Sequence, residues 1–345
     1  MLSQNAGPPL TAPAEPGEED VARVICASVV TDASGVYATM ENIRDSALRH
    51  NPVQGIHTAL LYQSGWFLHW AEGPVGPVTS LFERVRKDHR HNAQHVVHRS
   101  RGRRLLMNTW SMMLSPSTEG AEAFGERVMA IRARMHEGTQ YPPTSVVRRL
   151  LMPMQLREAL ELPDPESYYR VVVCAAAGNA AFDLVNWLAE KHDVPKASRR
   201  HAGELDLDSG SEYTDFMLGG HACRVIAAAR SNLSQGLHRS LMPDWQVLLL
   251  VFSGDARRDT ALLERVRDAF KGLPATPELV TTVPTAKAYV PIQQAANACG
   301  LVCLNGGVIA GHDSQSLWAV VQDRLAQLGP PHTSDWATLN ALGDE

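Results

Sequence analysis

The apolar positions of this chain change period many times, and the changes mark two blocks of elements. Val21–Val30 is rich in β-branched residues and reads as a strand. Met40–His50 is amphipathic and reads as a helix. Ile56–Tyr62 and Gly65–Glu72 read as two strands around the short turn Gln63-Ser64-Gly65. Val75–Arg90 repeats apolar residues at Val78, Leu81, Phe82 and Val85, which is helical spacing. Gln94–Arg99 and Trp110–Leu114 read as further strands. The order β-α-β-β-α-β-β predicts one sheet with two helices on one face.

A helical connector is expected over Gly120–Leu162, broken at Pro142-Pro143. In the second block, strands are expected at Arg170–Cys174, Ala222–Ala229, Val247–Phe252, Glu278–Val283 and Gly300–Leu304. Helices are expected at Ala180–Lys191, Thr260–Lys271, Ile292–Cys299 and Ser314–Leu328. Alternation of strand and helix predicts a mainly parallel, doubly wound sheet. The ends differ in composition. Residues 1–20, rich in Pro, Ala, Gly and Glu, read as a disordered leader, and Pro330-Pro331 stop the last helix before a tail. The expected division is therefore 1–20, 21–115, 116–165, 166–330 and 331–345, in the α/β class.

Composition agrees with two globular domains: 345 residues, 44% hydrophobic and 20% charged. A net charge of −5 gives no basic face for nucleic acid, so no nucleic-acid partner is expected. The local run Arg99, Arg101, Arg103 and Arg104 reads as a solvated strand end. The five cysteines are scattered and form no CxxC pair, which fits a reducing cytosol rather than a disulfide framework or zinc site. The longest strongly apolar run, Val247–Phe252, is too short to span a bilayer, and no signal peptide is visible. A cytoplasmic protein without membrane insertion is expected.

Candidate chemistry begins at Trp66-Phe67-Leu68-His69-Trp70-Ala71-Glu72-Gly73. With Arg49-His50-Asn51, Lys87-Asp88-His89-Arg90-His91 and Trp110-Ser111-Met112, it resembles the BLUF family of flavin-binding blue-light sensors, over about residues 21–115. The resemblance implies a ferredoxin-like α+β domain with the flavin ring between two helices. It also implies a Tyr on the first strand and a Gln in an F-x-Q stretch, whose hydrogen bonds to the ring rearrange in blue light. A phenol can supply an electron and a proton, and an amide can both donate and accept. In this sequence Cys26 stands at the Tyr position and His69 at the Gln position. Asn51 matches the ring-binding Asn, and Trp110 and Met112 match the last strand. His57 and Thr58 replace a Thr-Gly pair, which predicts bulk close to the pocket. The candidate cofactor residues are thus Asn51, His69, Trp110, Met112 and Cys26. Read without the family, Asn51 ends a helix before Pro52, Trp110 and Met112 are core, and His69 is a satisfied polar residue in a filled pocket. His89, His91, His95 and His98 read as solvated surface residues, with no metal site expected.

The second block resembles a Ras-like GTPase domain in layout. Val171–Cys174 runs into Ala175-Ala176-Ala177-Gly178-Asn179-Ala180-Ala181-Phe182, where a phosphate loop G-x-x-x-x-G-K-[ST] would lie. Ala175 and Ala180 take the glycine positions, Ala181 the Lys and Phe182 the Ser/Thr. Without them the loop has no close backbone approach to phosphate, no neutralising cation and no Mg²⁺ ligand. Ala228-Ala229-Arg230-Ser231 replaces D-x-x-G, and Thr281-Thr282-Val283-Pro284 replaces N-K-x-D. A doubly wound domain of another lineage remains the alternative. Glu204, Asp206 and Asp208 read as a solvated acidic loop, with a cation site as the alternative. No nucleophile–base constellation is visible, so no catalytic residues are expected. The expectation is a non-catalytic regulatory or scaffold protein acting on protein partners, itself among them. No cofactor is expected, with FAD as the alternative. A flavin sensor without the usual photocycle, or an enzyme with an unrecognised pocket in the second domain, are the other readings.

Overall fold

The computed structural model describes residues 20–115, 117, 119–157, 167–200 and 210–331. The acidic cluster Glu204–Asp208, most of the leader and the tail beyond Pro331 lie outside the described residues. The fold is mixed α/β: a ferredoxin-like domain followed by a second α/β sheet domain.

The first domain runs β1 (Val21–Val30), α1 (Val36–His50), β2 (His57–Gln63), β3 (Trp66–Gly73), α2 (Val75–Val85), β4 (His91–Gly102) and β5 (Trp110–Leu114). Its sheet order is β4-β1-β3-β2-β5, antiparallel except for the parallel pair β2–β5. The β2–β3 hairpin turns through Ser64 and Gly65, with φ of 51° and 80°. Two successive left-handed residues give a primed turn, whose twist matches the flanking strands. Strand β4 is twice the expected length and bulged against β1. Its alternating pattern was hidden by polar residues at this half-covered edge.

The connector forms α3 (Ala121–His136) and α4 (Pro143–Leu151). These helices cover the sheet face opposite α1 and α2. Phe124, Val128, Val147 and Leu150 pack on Ile25, Leu68 and Trp70. Leu237 and Leu241, from the second domain, complete the same core.

The second domain runs β6 (Tyr169–Ala175), α5 (Ala180–His192), β7 (Lys196–Arg200), β8 (Gly210–Leu218), β9 (His221–Ala228), α6 (Gly236–Leu241), β10 (Val247–Val251), α7 (Ala256–Phe270), β11 (Glu278–Val283), α8 (Ala286–Ala298), β12 (Cys303–Val308) and α9 (Ser314–Leu328). The sheet order is β12-β11-β10-β6-β9-β8-β7. Five strands are parallel, and β7–β8–β9 form an antiparallel edge. Strands β7 and β8 were not expected. Charged and polar residues interrupt both, and Glu212 and Asp215 are buried there only because Ser198 and Arg224 partner them. Helix α8 starts six residues before the expected point, because Pro291 sits inside it. Strand β12 lies three residues beyond its expected start, after Leu301 and Val302.

The two domains share packing and polar contacts. Helix α6 lies against β5, and a Cβ at Gly236 would run into Ser111 Oγ. Arg239 donates to Asn108 Oδ1 at 3.1 Å and to the carbonyls of Ala269 and Lys271. Arg148 of α4 pairs with the buried Asp244 and donates to Tyr168 Oη.

Glu72, at the end of β3, fixes the segment between β4 and β5. Its carboxylate accepts from Leu105 N at 2.7 Å, Leu106 N at 2.9 Å and Trp70 Nε1 at 3.1 Å. Burial pushes its pKa up to about 6, against these N–H donors and the nearby Arg23 and Arg104. A carboxyl with a raised folded pKa stabilises the fold below its unfolded value of 4.5, and that contribution disappears as pH rises through 6. Unfolding free energy should therefore fall by about 2 kcal/mol from this group across that window. Glu72→Gln should remove this component of the slope, as read by urea denaturation at a series of pH values.

Candidate functional site

A cavity of about 490 Å³ lies between α1, α2 and the sheet. Its walls follow from the periods of the elements around it. Helix α1 turns Ile43, Ser46, Ala47 and His50 inward, at i, i+3, i+4 and i+7. Leu81, Arg84, Val85 and Asp88 repeat the same spacing through α2 and just past its end. The strands contribute alternate residues: Cys26 and Ser28 from β1, and Phe67 and His69 from β3. Leu60, Trp110, Gln94, Asn51, Gln54, Arg90 and His91 close the remaining sides. Only Met40 of α1 is fully buried, because the inward stripe of the helix faces the cavity rather than packed side chains.

Four of the five candidate residues, Cys26, Asn51, His69 and Trp110, line this one space. Met112, two residues past Trp110 on β5, packs instead against Leu60 and Phe67 beside it. The sequence had raised a filled pocket around His69, and the open cavity corrects that reading. It also corrects the bulk expected from His57 and Thr58. His57 turns to the Leu106 carbonyl, and Thr58 accepts from Asn51 Nδ2 at 3.1 Å, so neither lines the cavity. Asn51 does end α1, as its position before Pro52 suggests, and is buried. The helix-terminating and cavity-lining readings hold together at this residue.

Cys26 and His69 are directly opposed in the β1–β3 register. Burial pushes the Cys26 thiol up to about 12, so it stays protonated. Burial, with His91 nearby, pushes His69 down to about 4, so its imidazole is neutral near pH 7. The cavity floor therefore carries no formal charge. Other lining residues do: Arg90 holds Asp88 at 2.8 Å and lowers its pKa to about 2, and Arg84 also lines the cavity. Two donors in the wall are buried without a partner, Gln94 Nε2 and Trp110 Nε1. Both nitrogens are closed off from water, so these residues line the cavity with their other atoms. Gln94 was not singled out from the sequence, where it served only as a strand start.

Of the four histidines expected on a solvated face, His89 is exposed as expected and the other three are not. His98 is buried with Nε2 2.7 Å from Ser100 Oγ, and His91 lines the cavity. His95 meets Arg132. No group of His, Cys, Asp and Glu among the described residues is arranged to hold a metal ion. No helix among them is long and apolar enough to cross a membrane.

At the second candidate site, β6 leads into a loop with Gly178 at φ 67° and then into α5. Ala181 and Phe182 turn into the core beneath β6 and β10. Arg230 reaches from the end of β9 to the Ala176 carbonyl at 3.0 Å and braces the loop from the side. Thr281 and Thr282 are buried within β11.

Residues 21–113 match the family model of BLUF, sensors of blue-light using FAD, so a BLUF domain occupies this part of the chain. No curated protein matches the sequence. Among solved structures, the chain is similar to BlsA in its photo-activated state, at 17% identity and a TM-score of 0.28, covering 38% of this chain and 91% of that one. It is similar to the BlrP1 BLUF domain at 22% identity and a TM-score of 0.27, covering 39% and 89%. It is also similar to Klebsiella pneumoniae BlrP1 in a manganese/cy-diGMP complex at pH 9.0. That likeness has 15% identity and a TM-score of 0.25, covering 87% and 78%.

Proposed function

We propose that this chain is a non-catalytic regulatory protein whose first domain holds a flavin without the hydrogen-bond switch of light sensing. The observation that carries the reading is the open cavity that Cys26, Asn51, His69 and Trp110 line together. The residues present fit a flavin. The uncharged, largely apolar floor suits a planar ring. Asn51 adds an amide at the end of α1. Arg84 and Arg90 in the cavity wall suit an anionic tail. When bound, a flavin supplies a blue-absorbing, redox-active ring. Beneath it the chain offers the Cys26 thiol and the His69 imidazole where the BLUF resemblance implies a phenol and an amide. A thiol is a weak hydrogen-bond donor, and a neutral imidazole has one donor and one acceptor on opposite sides of a rigid ring. An amide exchanges donor and acceptor by turning over, whereas an imidazole does so only by moving a proton from one nitrogen to the other.

The second domain is read as a GTPase-like scaffold without its nucleotide machinery. Support comes from the strand order β8-β9-β6-β10-β11-β12, with only β8 antiparallel to its neighbour in that set. Support also comes from Ala181 and Phe182 facing the core where Lys and Ser/Thr would face phosphate. Such a domain acts through its surfaces, on protein partners.

Purified protein should be yellow and release a flavin on denaturation. Its absorption should not shift to the red under blue light, and GTP should neither bind nor be hydrolysed. Ala47→Trp, which fills the space between α1 and the ring site, should lower flavin content at least about tenfold, a loss of about 1.4 kcal/mol of binding. A colourless wild-type protein that takes up no added flavin would reject the cofactor part of the proposal. Tight GTP binding would reject the part about the second domain.

A further inference from the structure

The outer edge of the second sheet differs from the other sheet edges of the molecule. Among the described residues, strand β12 pairs only with β11 and leaves its far side open. From Ala288 to His312 the sequence contains no Asp, Glu, Lys or Arg, although one residue in five of the whole chain is charged. This stretch makes up nearly all of α8, β12 and the loops around them. It also carries four exposed large apolar residues: Val290, Val302, Leu304 and Val308. Val302 is 85% exposed.

Open edges are ordinarily guarded by charge, proline, bulges or a covering element. The other three edges follow that rule. Strand β7 opens with Lys196, β4 carries Arg99 and Arg101, and β5 is covered by α6. At β12 the guard is slight. Asn305 Oδ1 accepts from Gly307 N at 2.8 Å, which occupies one donor and leaves Val302 to Leu304 open.

We infer that this neutral apolar edge is a homodimer interface, in which β12 and α8 of one chain meet β12 and α8 of a second copy about a two-fold axis. The choice of partner follows from charge. A charged peptide would find no counter-charge across these 25 residues. The β7 and β4 edges of another copy would bring cationic side chains against neutral groups and leave them without partners. Only the same edge brings a surface that is equally neutral and equally apolar, and a two-fold contact requires that self-complementarity. The inference is independent of what fills the cavity, since the two are read by different measurements.

The test is molar mass by light scattering on the full chain, in reducing buffer so that Cys299 and Cys303 form no cross-link. The wild type should have twice the mass of one chain. Val302→Lys/Leu304→Lys, and the milder Val302→Lys alone, should halve that mass without changing the far-ultraviolet circular dichroism. Val53→Lys, at an exposed site in the first domain, should leave the dimer intact. A wild type that stays monomeric at every soluble concentration overturns the inference. So does a dimer that survives both lysine variants, or an edge that associates only with a different protein.

Discussion

Replacing Arg224 with methionine is expected to lower the unfolding free energy by about 3–5 kcal/mol. Arg224 and Asp215 face each other across β8 and β9, and both are essentially inaccessible to water. They form a two-pronged pair: Nε to Oδ1 at 2.7 Å and Nη2 to Oδ2 at 2.8 Å. Burial alone would lower the Arg224 pKa, but the charge and hydrogen bonds of Asp215 raise it well above the usual range. The guanidinium also donates to the carbonyls of Met152 and Pro153, just past α4, and lies 4.4 Å over the Tyr213 ring. Methionine keeps the volume but removes every donor. Asp215 is then left buried with Gln155 N as a remaining donor, and the Met152 carbonyl loses the Arg224 donor, while the Pro153 carbonyl keeps Tyr213 Oη and Gln155 Nε2. Removing both charges together is cheaper than removing one. Asp215→Asn/Arg224→Met should therefore recover part of the loss in a urea midpoint measurement with an unchanged slope. If the single variant costs less than about 1 kcal/mol, the pair is more hydrated than its burial implies.

The same pair shows why part of the second domain was not legible. Hydrophobic period carried every strand whose neighbours bury both faces, such as β6, β10 and β11. It failed at β7 and β8, where a polar residue is inside because a partner distant in sequence satisfies it. Glu212 finds Ser198 and Asp215 finds Arg224, and neither pairing can be read until the sheet is assembled. Helix α8 hid behind Pro291, which sits inside it, past the first turn, where a proline ordinarily marks a break. In the first domain the site was more legible than its shape. Local stretches of sequence marked Asn51, His69, Trp110 and Cys26. Whether they enclose space or fill it depends on α1 and α2 standing apart, and that distance is set by the whole sheet. Gln94 escaped notice for the same reason. A polar residue at the start of an edge strand is unremarkable in sequence, and becomes informative only when its amide is buried without a partner.

Cys26→Tyr/His69→Gln is expected to give the protein a light response that, on the proposed function, the wild type does not show. The argument turns on how little else stands between this site and the arrangement the BLUF resemblance implies. Asn51 and Trp110 are in place, and the cavity is open above the two altered positions. Cys26 and His69 face each other in register, so a phenol and an amide introduced there would be near neighbours on adjacent strands. A phenol can supply the electron and proton that a thiol held at a pKa of about 12 does not, and an amide can both donate and accept. Space for the larger Tyr comes from the cavity itself rather than from displaced core. With flavin bound, blue light should shift the absorption of the double variant to the red, and the shift should relax in the dark. The single variants should show none, because each supplies only one of the two groups. A double variant that binds flavin but gives no reversible shift would mean that the loss of light response lies deeper than these two side chains. Gln94, Arg84 and the Asp88–Arg90 pair would then be the next positions to change.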